Sequence, residues 1–184
     1  MNDFTIRTVT VDDAERLLEI YSHYVKNTAI SFEYDPPTLE EFKSRISNTL
    51  KKYPYLCILQ NGIIMGYAYA GAFHPRAAFQ WAAETTVYLA LDARKCGLGR
   101  KLYEALEKTL KEMGILNLYA LVACPETEDE YLTKNSAEFH AHLGYVKVGE
   151  LHNCGNKFGR WYHMTYMEKI IGEHKEIPGK NLCI

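Results

Sequence analysis

The 184-residue chain contains no unbroken apolar run of about 18 residues, so nothing in it reads as a membrane-spanning helix. Its first residues, MNDFTIR, lack the apolar core of a secretory signal, and the cytoplasm is the expected compartment. Charge of one sign is scarce as well. With 21 Lys and Arg against 23 Asp and Glu, the formal net charge of -2 leaves no basic excess, and no nucleic-acid partner is expected. Cysteine is limited to Cys57, Cys96, Cys124, Cys154 and Cys183, never spaced as Cys-x-x-Cys. An odd, scattered set fits reduced thiols rather than a disulfide frame or a zinc knuckle. His140-x-His142 and His152-x-Cys154 have no partners at ligand spacing, so no metal is expected. Neither Gly-Lys-Ser nor Gly-Lys-Thr occurs, which removes the nucleoside-triphosphate loop. What remains is an ordinary globular composition, 47% hydrophobic and 24% charged. Its length suits one domain, residues 1–172, followed by a polar tail, 173–184.

The most informative stretch runs from Glu84 to Gly114. Thr85, Thr86, Val87, Tyr88 and Leu89 form a β-branched and aromatic run that reads as a buried strand. Leu91-Asp92-Ala93 interrupts it, and Arg94-Lys95-Cys96-Gly97-Leu98-Gly99-Arg100-Lys101 is a basic turn with two glycines. Leu102, Leu106, Leu110 and Met113 then recur at helical spacing, with Gly114 placed to end the helix. Strand, glycine turn and helix together favour an anion. Glycine lets backbone N–H groups approach a ligand, and the helix N-terminus adds partial positive charge. A dinucleotide fingerprint would need a third glycine where Leu102 stands, so a different pyrophosphate ligand is expected. A glycine turn entering an ordinary surface helix is the competing reading, and the flanking sequence has to choose.

Elsewhere the chain alternates short strands and helices. Phe4 to Val9 reads as a strand, and Thr10 opens a helix with Asp12 and Asp13 in its first turn. Residues 27–34 form an extended aromatic loop closed by Pro36-Pro37, and Thr38-Leu-Glu-Glu41 is a capping box opening a helix to about Leu50. Tyr55 to Gln60 and Ile63 to Ala72 are strands joined by Asn61-Gly62, a hairpin turn. Leu116 to Ala123 is a further strand, residues 124–130 an acidic connector, and Ser136 to Leu143 a helix stopped by Gly144. Tyr145 to Leu151 and Trp161 to Ile170 close the domain around a loop bearing Gly155 and Gly159. The order β-α-α-β-β-β-α-β-α-β-β implies an α/β domain with a mixed sheet.

The turn Arg94-x-x-Gly97-x-Gly99 resembles the acetyl-CoA signature of the GNAT N-acetyltransferases. Three further stretches are similar to the phosphinothricin and methionine-sulfoximine acetyltransferase branch of that family: residues 71–89, Ser136 to Tyr145 and Lys157 to Met167. The resemblance covers most of residues 3 to 171. It departs at Thr133, where the branch carries an asparagine (Asn135 stands two residues on), and at His163, where the branch carries an aspartate. It implies a GNAT fold, a central mixed and mostly antiparallel sheet flanked by helices. It also implies acetyl-CoA as cofactor, a small amino-acid-like amine as substrate, direct acetyl transfer to that amine, and a homodimer.

Such a transfer must strip a proton from an ammonium, place the thioester against the amine and meet the developing oxyanion with a donor. A proton for the departing thiolate helps. Glu84, amid Trp81, Ala82 and Ala83, is the candidate base, since partial burial raises a carboxylate's pKa. The resemblance puts His140 where relatives carry a general acid; a packed helix histidine is the other reading. It gives the coenzyme to the backbone of Val87, Tyr88 and Leu89, to the turn Arg94, Lys95, Cys96, Gly97, Leu98, Gly99 and Arg100, and to Asn135, with Thr133 as the alternative contact. It gives the substrate to His74, Pro75, Arg76, Thr85 and Thr86. Arg76 suits a carboxylate, or is simply solvated. Two rivals stay open: the same fold acting on a protein N-terminus or polyamine, and a non-catalytic acyl-CoA sensor.

Overall fold

The structure, a computed structural model, describes residues 4–93 and 96–175. Strand β1 (Phe4–Thr8) pairs antiparallel with β2 (Tyr55–Gln60), which turns back into β3 (Ile63–Ala72). The turn residues Asn61 and Gly62 both have positive φ, 51° and 81°, the backbone that a two-residue hairpin demands and an Asn-Gly pair supplies. Helices α1 (Ala14–Asn27) and α2 (Leu39–Leu50) lie between β1 and β2. A 3-10 turn, Val11–Asp13, precedes α1, so the α-helix proper starts four residues later than Thr10. At α2 the capping box forms as expected: Glu41 N donates to Thr38 Oγ1 at 3.2 Å and Thr38 N to Glu41 Oε2 at 3.4 Å.

β4 (Ala82–Leu89) runs antiparallel to β3, and helix α3 (Leu98–Glu112) leads from it to β5 (Asn117–Cys124), parallel to β4. A short helix α4 (Asn135–His142) and a closing hairpin of β6 (Val146–Lys157) and β7 (Arg160–Ile170) complete the chain. The seven strands form one sheet in the order β1-β2-β3-β4-β5-β7-β6.

Two elements differ from the sequence reading. Helix α3 starts at Leu98 rather than near Leu102, because Gly97, with φ 77°, takes the left-handed conformation that lets the chain enter the helix directly. The closing strands are longer than expected. The reversal sits at Phe158-Gly159, and Gly155 lies inside β6, where a Cβ would collide with the ring of Phe32. Gly155 is there for close approach, not for turning, and an irregularity between Leu151 and Gly155 absorbs the mismatch.

The core has two sides. Tyr88 of the sheet packs on Tyr21 and Tyr24 of α1 and on its strand neighbour Tyr67, while the buried stripe Leu102, Leu106 and Leu110 of α3 fills the opposite side. Along β4, period-two alternation therefore puts Glu84, Thr86 and Tyr88 on the α1/α2 side and Thr85 and Val87 on the α3/α4 side.

Candidate active site

β4 and β5 pair over only three positions, Ala82 to Glu84 against Asn117 to Tyr119. Beyond them the strands part. The cleft between them is lined by Thr85, Thr86, Val87 and Tyr88 on one lip, Ala120 to Ala123 on the other, and Tyr103, Ser136, His140 and Ile30 around it. Separation leaves backbone groups of both strands without a ladder partner, which an extended ligand arm could satisfy.

The α3 mouth lies at the end of β4. Whereas the Thr38 side chain caps α2, the N-cap of α3 is Gly97, which has no side chain to cap it with. The first-turn N–H groups of α3, those of Leu98, Gly99 and Arg100, have no hydrogen-bond partner among the described residues and face the position an anion would take. Gly99 also lets α3 and α4 touch, since a Cβ there would stand 3.2 Å from the Phe139 ring. Cys96 is exposed beside this mouth. Arg94 and Lys95 lie outside the described residues. Asn135, the first residue of α4, is exposed; its N–H donates to Thr133 Oγ1 at 3.4 Å.

Glu84 sits where the two strands part, opposite Gly71 on one side and Tyr119 on the other. It is half-buried and makes no hydrogen bond or ion pair among the described residues. Burial alone pushes its carboxyl above the usual carboxylate range. Nearby, Phe73 stacks on Tyr119 at 4.1 Å, and the Tyr119 hydroxyl donates to Glu168 Oε1 at 2.6 Å. His74, Pro75 and Arg76 are exposed and line a surface hollow with Phe79.

His140 is 5% exposed, with Nδ1 2.7 Å from Ser136 O and Nε2 2.8 Å from the Tyr103 hydroxyl. A carbonyl only accepts, so Nδ1 carries the hydrogen and bare Nε2 accepts from Tyr103. Burial lowers the pKa of this imidazole, favouring the neutral form. The Thr85 hydroxyl lies 3.2 Å from that of Tyr145 and 3.3 Å from Tyr119 O. Thr85 thus faces the His140 side, away from Glu84, and only Thr86 shares the carboxylate's face.

Sequence reading missed three features. Lys157 is 2% exposed, yet its ammonium donates to Val25 O at 2.7 Å and Ser31 O at 2.6 Å, tying the closing hairpin to the aromatic loop. Tyr34, 69% exposed, adds a bond from its hydroxyl to Asn156 O at 2.9 Å. Tyr103 has no signal beyond its place on the apolar stripe of α3. The third is a group of tyrosines on the α1/α2 side, Tyr21, Tyr55, Tyr67, Tyr69 and Tyr88, with Glu33 and Arg45 paired at 2.6 Å beside it. Trp161 and Tyr34 are largely exposed.

Among the described residues no helix is long and apolar enough to cross a membrane, and no group of three or more His, Cys, Asp or Glu side chains is placed to hold a metal ion. Comparison with known proteins gives the same picture as the geometry. Residues 6–166 match the acetyltransferase (GNAT) domain family. Over 168 residues the chain is 36% identical to the phosphinothricin N-acetyltransferase of Alcaligenes faecalis, covering 91% of this chain and 82% of that one. It is 30% identical to the L-methionine sulfoximine/L-methionine sulfone acetyltransferase of Salmonella typhimurium, over 92% and 96% of the two chains. The solved phosphinothricin acetyltransferase of Sinorhizobium meliloti in complex with acetyl-CoA superposes with a TM-score of 0.86 at 29% identity, covering 97% of this chain and 96% of that one. With its splayed parallel strands, uncapped helix mouth and matching domain, the chain belongs to the GNAT family and is an acetyl-CoA-dependent N-acetyltransferase.

Proposed function

We propose that the protein acetylates the primary amine of a small amino-acid-like molecule of the phosphinothricin or methionine sulfoximine type, by direct attack. One observation carries this reading: an unpartnered, half-buried carboxylate, Glu84, stands where β4 and β5 part.

Acetyl-CoA, when bound, supplies the acetyl group as an activated thioester. The residues around its place fit such a molecule: an uncapped helix mouth for the diphosphate and an unladdered cleft for the extended arm. Leu98, Gly99 and Arg100 would hold the diphosphate through their N–H groups, beside Gly97 and Cys96. Backbone groups of Val87 and Tyr88 would hold the arm and offer an N–H to the developing oxyanion; those of Leu89, also expected to do so, already bond the Tyr24 hydroxyl, which accepts from the Leu89 N–H at 3.3 Å and donates to its carbonyl at 2.6 Å. Glu84 takes the ammonium proton, directly or through a water, and its raised pKa improves it as a base near neutral pH. The departing thiolate needs little help, because an ordinary thiol has a pKa of about 8.5. The Tyr103–His140 pair therefore serves as a hydrogen-bonding floor rather than as a strong acid. Arg76 and His74 stand ready for the acceptor's carboxylate, with Thr86 beside the amine; Asn135 is retained as a coenzyme contact.

The reading includes a cytoplasmic homodimer, supported by the exposed aromatic rings of Tyr34 and Trp161, 69% and 63% accessible, which gel filtration checks. Thiol release from acetyl-CoA over a panel of amino acids, spermidine and a peptide tests the activity. Release with phosphinothricin or methionine sulfone is expected. Coenzyme binding without release from any amine would leave an acyl-CoA sensor instead, and preference for spermidine a polyamine enzyme.

A further inference from the structure

Over β2, β3 and β4 the α1/α2 side of the sheet closes around the tyrosine cavity, about 110 Å³ in volume. Over β5 and β7 the same side is only half-buried, and a second polar cluster stands there. Glu84, Tyr119 and Glu168 occupy one row of paired positions across β4, β5 and β7. Paired positions point to one face, and neighbouring strands lie about 4.8 Å apart. The candidate base therefore has Tyr119 beside it and Glu168 next in line. The bond from the Tyr119 hydroxyl to Glu168 Oε1 is part of a longer chain. Asn117 Nδ2 donates to the same oxygen at 3.4 Å, and Asn117 Oδ1 lies 2.7 Å from His174 Nε2. An amide oxygen only accepts, so His174 Nε2 carries the hydrogen. Ile171 N donates to Leu116 O at 2.8 Å, which turns the residues after β7 back toward the start of β5.

On its other flank the Tyr119 ring carries Phe73, stacked with 20° between the planes. Phe73 in turn meets the rings of His74 at 4.6 Å and Phe79 at 5.9 Å. Residues 74–79 are exposed, and the backbone hydrogen bonds that shape them are internal, Phe79 N to Arg76 O and Gln80 N to Ala77 O. Phe73 thus joins this loop to the sheet, and Tyr119 is the surface on which it rests.

We propose that Tyr119 and Glu168 are positioning residues: Glu168 fixes the phenol ring on which Phe73 stacks, and so fixes the loop bearing His74 and Arg76 relative to Glu84. The inference rests on the N-acetyltransferase reading above. A half-buried phenol with nothing to hold its hydroxyl can change rotamer, and a hydrogen bond to a carboxylate is among the stronger restraints on it. Burial, reinforced by Glu168, pushes the Tyr119 phenol up to about 12, so the donor keeps its proton at neutral pH. A loop displaced by a fraction of an ångström loses its hold on the amine. The coenzyme, gripped by other elements at the α3 mouth, is left as it was.

The test uses Tyr119→Phe, Glu168→Ala and Glu168→Gln in the full chain, with melting curves confirming that each folds. Thiol release gives KM for acetyl-CoA and for the amine that the wild type turns over best. Limited trypsin cleavage after Arg76, followed by mass spectrometry, reports on the loop without turnover. Tyr119→Phe and Glu168→Ala are each expected to raise the amine KM roughly three- to tenfold and to speed the cut at Arg76 by a similar factor. KM for acetyl-CoA and kcat should move less than about twofold. Glu168→Gln, whose amide oxygen still accepts from the phenol, should restore both readouts to near the wild-type values. An amine KM unchanged in Tyr119→Phe and Glu168→Ala, or raised equally with that for acetyl-CoA, would overturn the positioning role and leave the enzyme reading intact. So would a Glu168→Gln variant no better than Glu168→Ala. If no amine is turned over but Arg76 is cut faster in Tyr119→Phe, the enzyme reading falls and the loop anchor stands. No turnover with an unchanged cut removes both.

Discussion

Neighbouring residues of β4 meet opposite surroundings. Thr85, facing α3 and α4, belongs to a closed network in which Tyr103, Tyr145 and His140 satisfy one another and His140 spends both ring nitrogens. Glu84 and the Tyr55–Tyr67 pair, on the α1/α2 side, keep oxygen atoms that nothing in the described chain satisfies. A closed polar network specifies the fold, because every member is already paired and removing one leaves another stranded. An open one costs stability and is useful only if a ligand completes it. The difference separates structural polarity from chemical polarity within a single strand.

That contrast can be broken at either face. The largest effect is expected for Glu84→Gln, which should lower kcat/KM by roughly 10²- to 10³-fold in steady-state assays. If Tyr103→Phe cost more turnover than this, the roles of the two faces would have to be exchanged. Next comes Lys157→Met. Without the ammonium, Val25 O and Ser31 O are buried with no donor, and denaturant unfolding should show a loss of about 2–4 kcal/mol. The loop that Lys157 anchors carries Ile30 to the cleft and Glu33 to the tyrosine cavity. The KM for the amine should therefore rise more than that for acetyl-CoA. For Tyr103→Phe itself, leaving His140 Nε2 unpaired should cost about 1–2 kcal/mol of stability and less than tenfold in rate. The smallest effect sharpens the comparison through pH. Glu84 is protonated to higher pH when folded than when unfolded, so its contribution is full below the ordinary carboxylate range near 4.3 and is lost as pH rises through the raised value. Relative to wild type, Glu84→Gln should melt equally near pH 4 and higher at pH 7, by on the order of 2 °C. A variant that melted lower at pH 7 would mean the carboxylate has a partner after all.

Much of the fold was legible because its signals are local. Asn61-Gly62, the Thr38–Glu41 box, Gly114 with φ 85° and the stripe Leu102-Leu106-Leu110 each act over a few residues. The stripe ended one position early: Met113 is 47% exposed, past the last helical turn. Gly155 misled because a glycine that makes room for a distant ring looks, in sequence, like one that makes a turn. Lys157 was invisible for a related reason. Burial of an ammonium depends on carbonyls more than 100 residues away, and charge alone argues for the surface. Glu84 could be singled out from its apolar neighbours, but the side of the sheet it faces needed the strand register. The tyrosine cavity needed five separate elements, α1, α2, β2, β3 and β4, to meet, and residue spacing carries no trace of that.

The brevity of the β4–β5 ladder has a mechanical consequence. Three paired positions are the seam along which the sheet's two portions, β1–β4 and β5–β7–β6, are stitched, so this is where the sheet is weakest in shear. A guest lying in the gap would act as a thread, bonding to both lips at once. The loaded protein should then resist heat and proteolysis by more than occupancy of a rigid pocket would suggest, with the gain concentrated in amide exchange along residues 85–89 and 120–124.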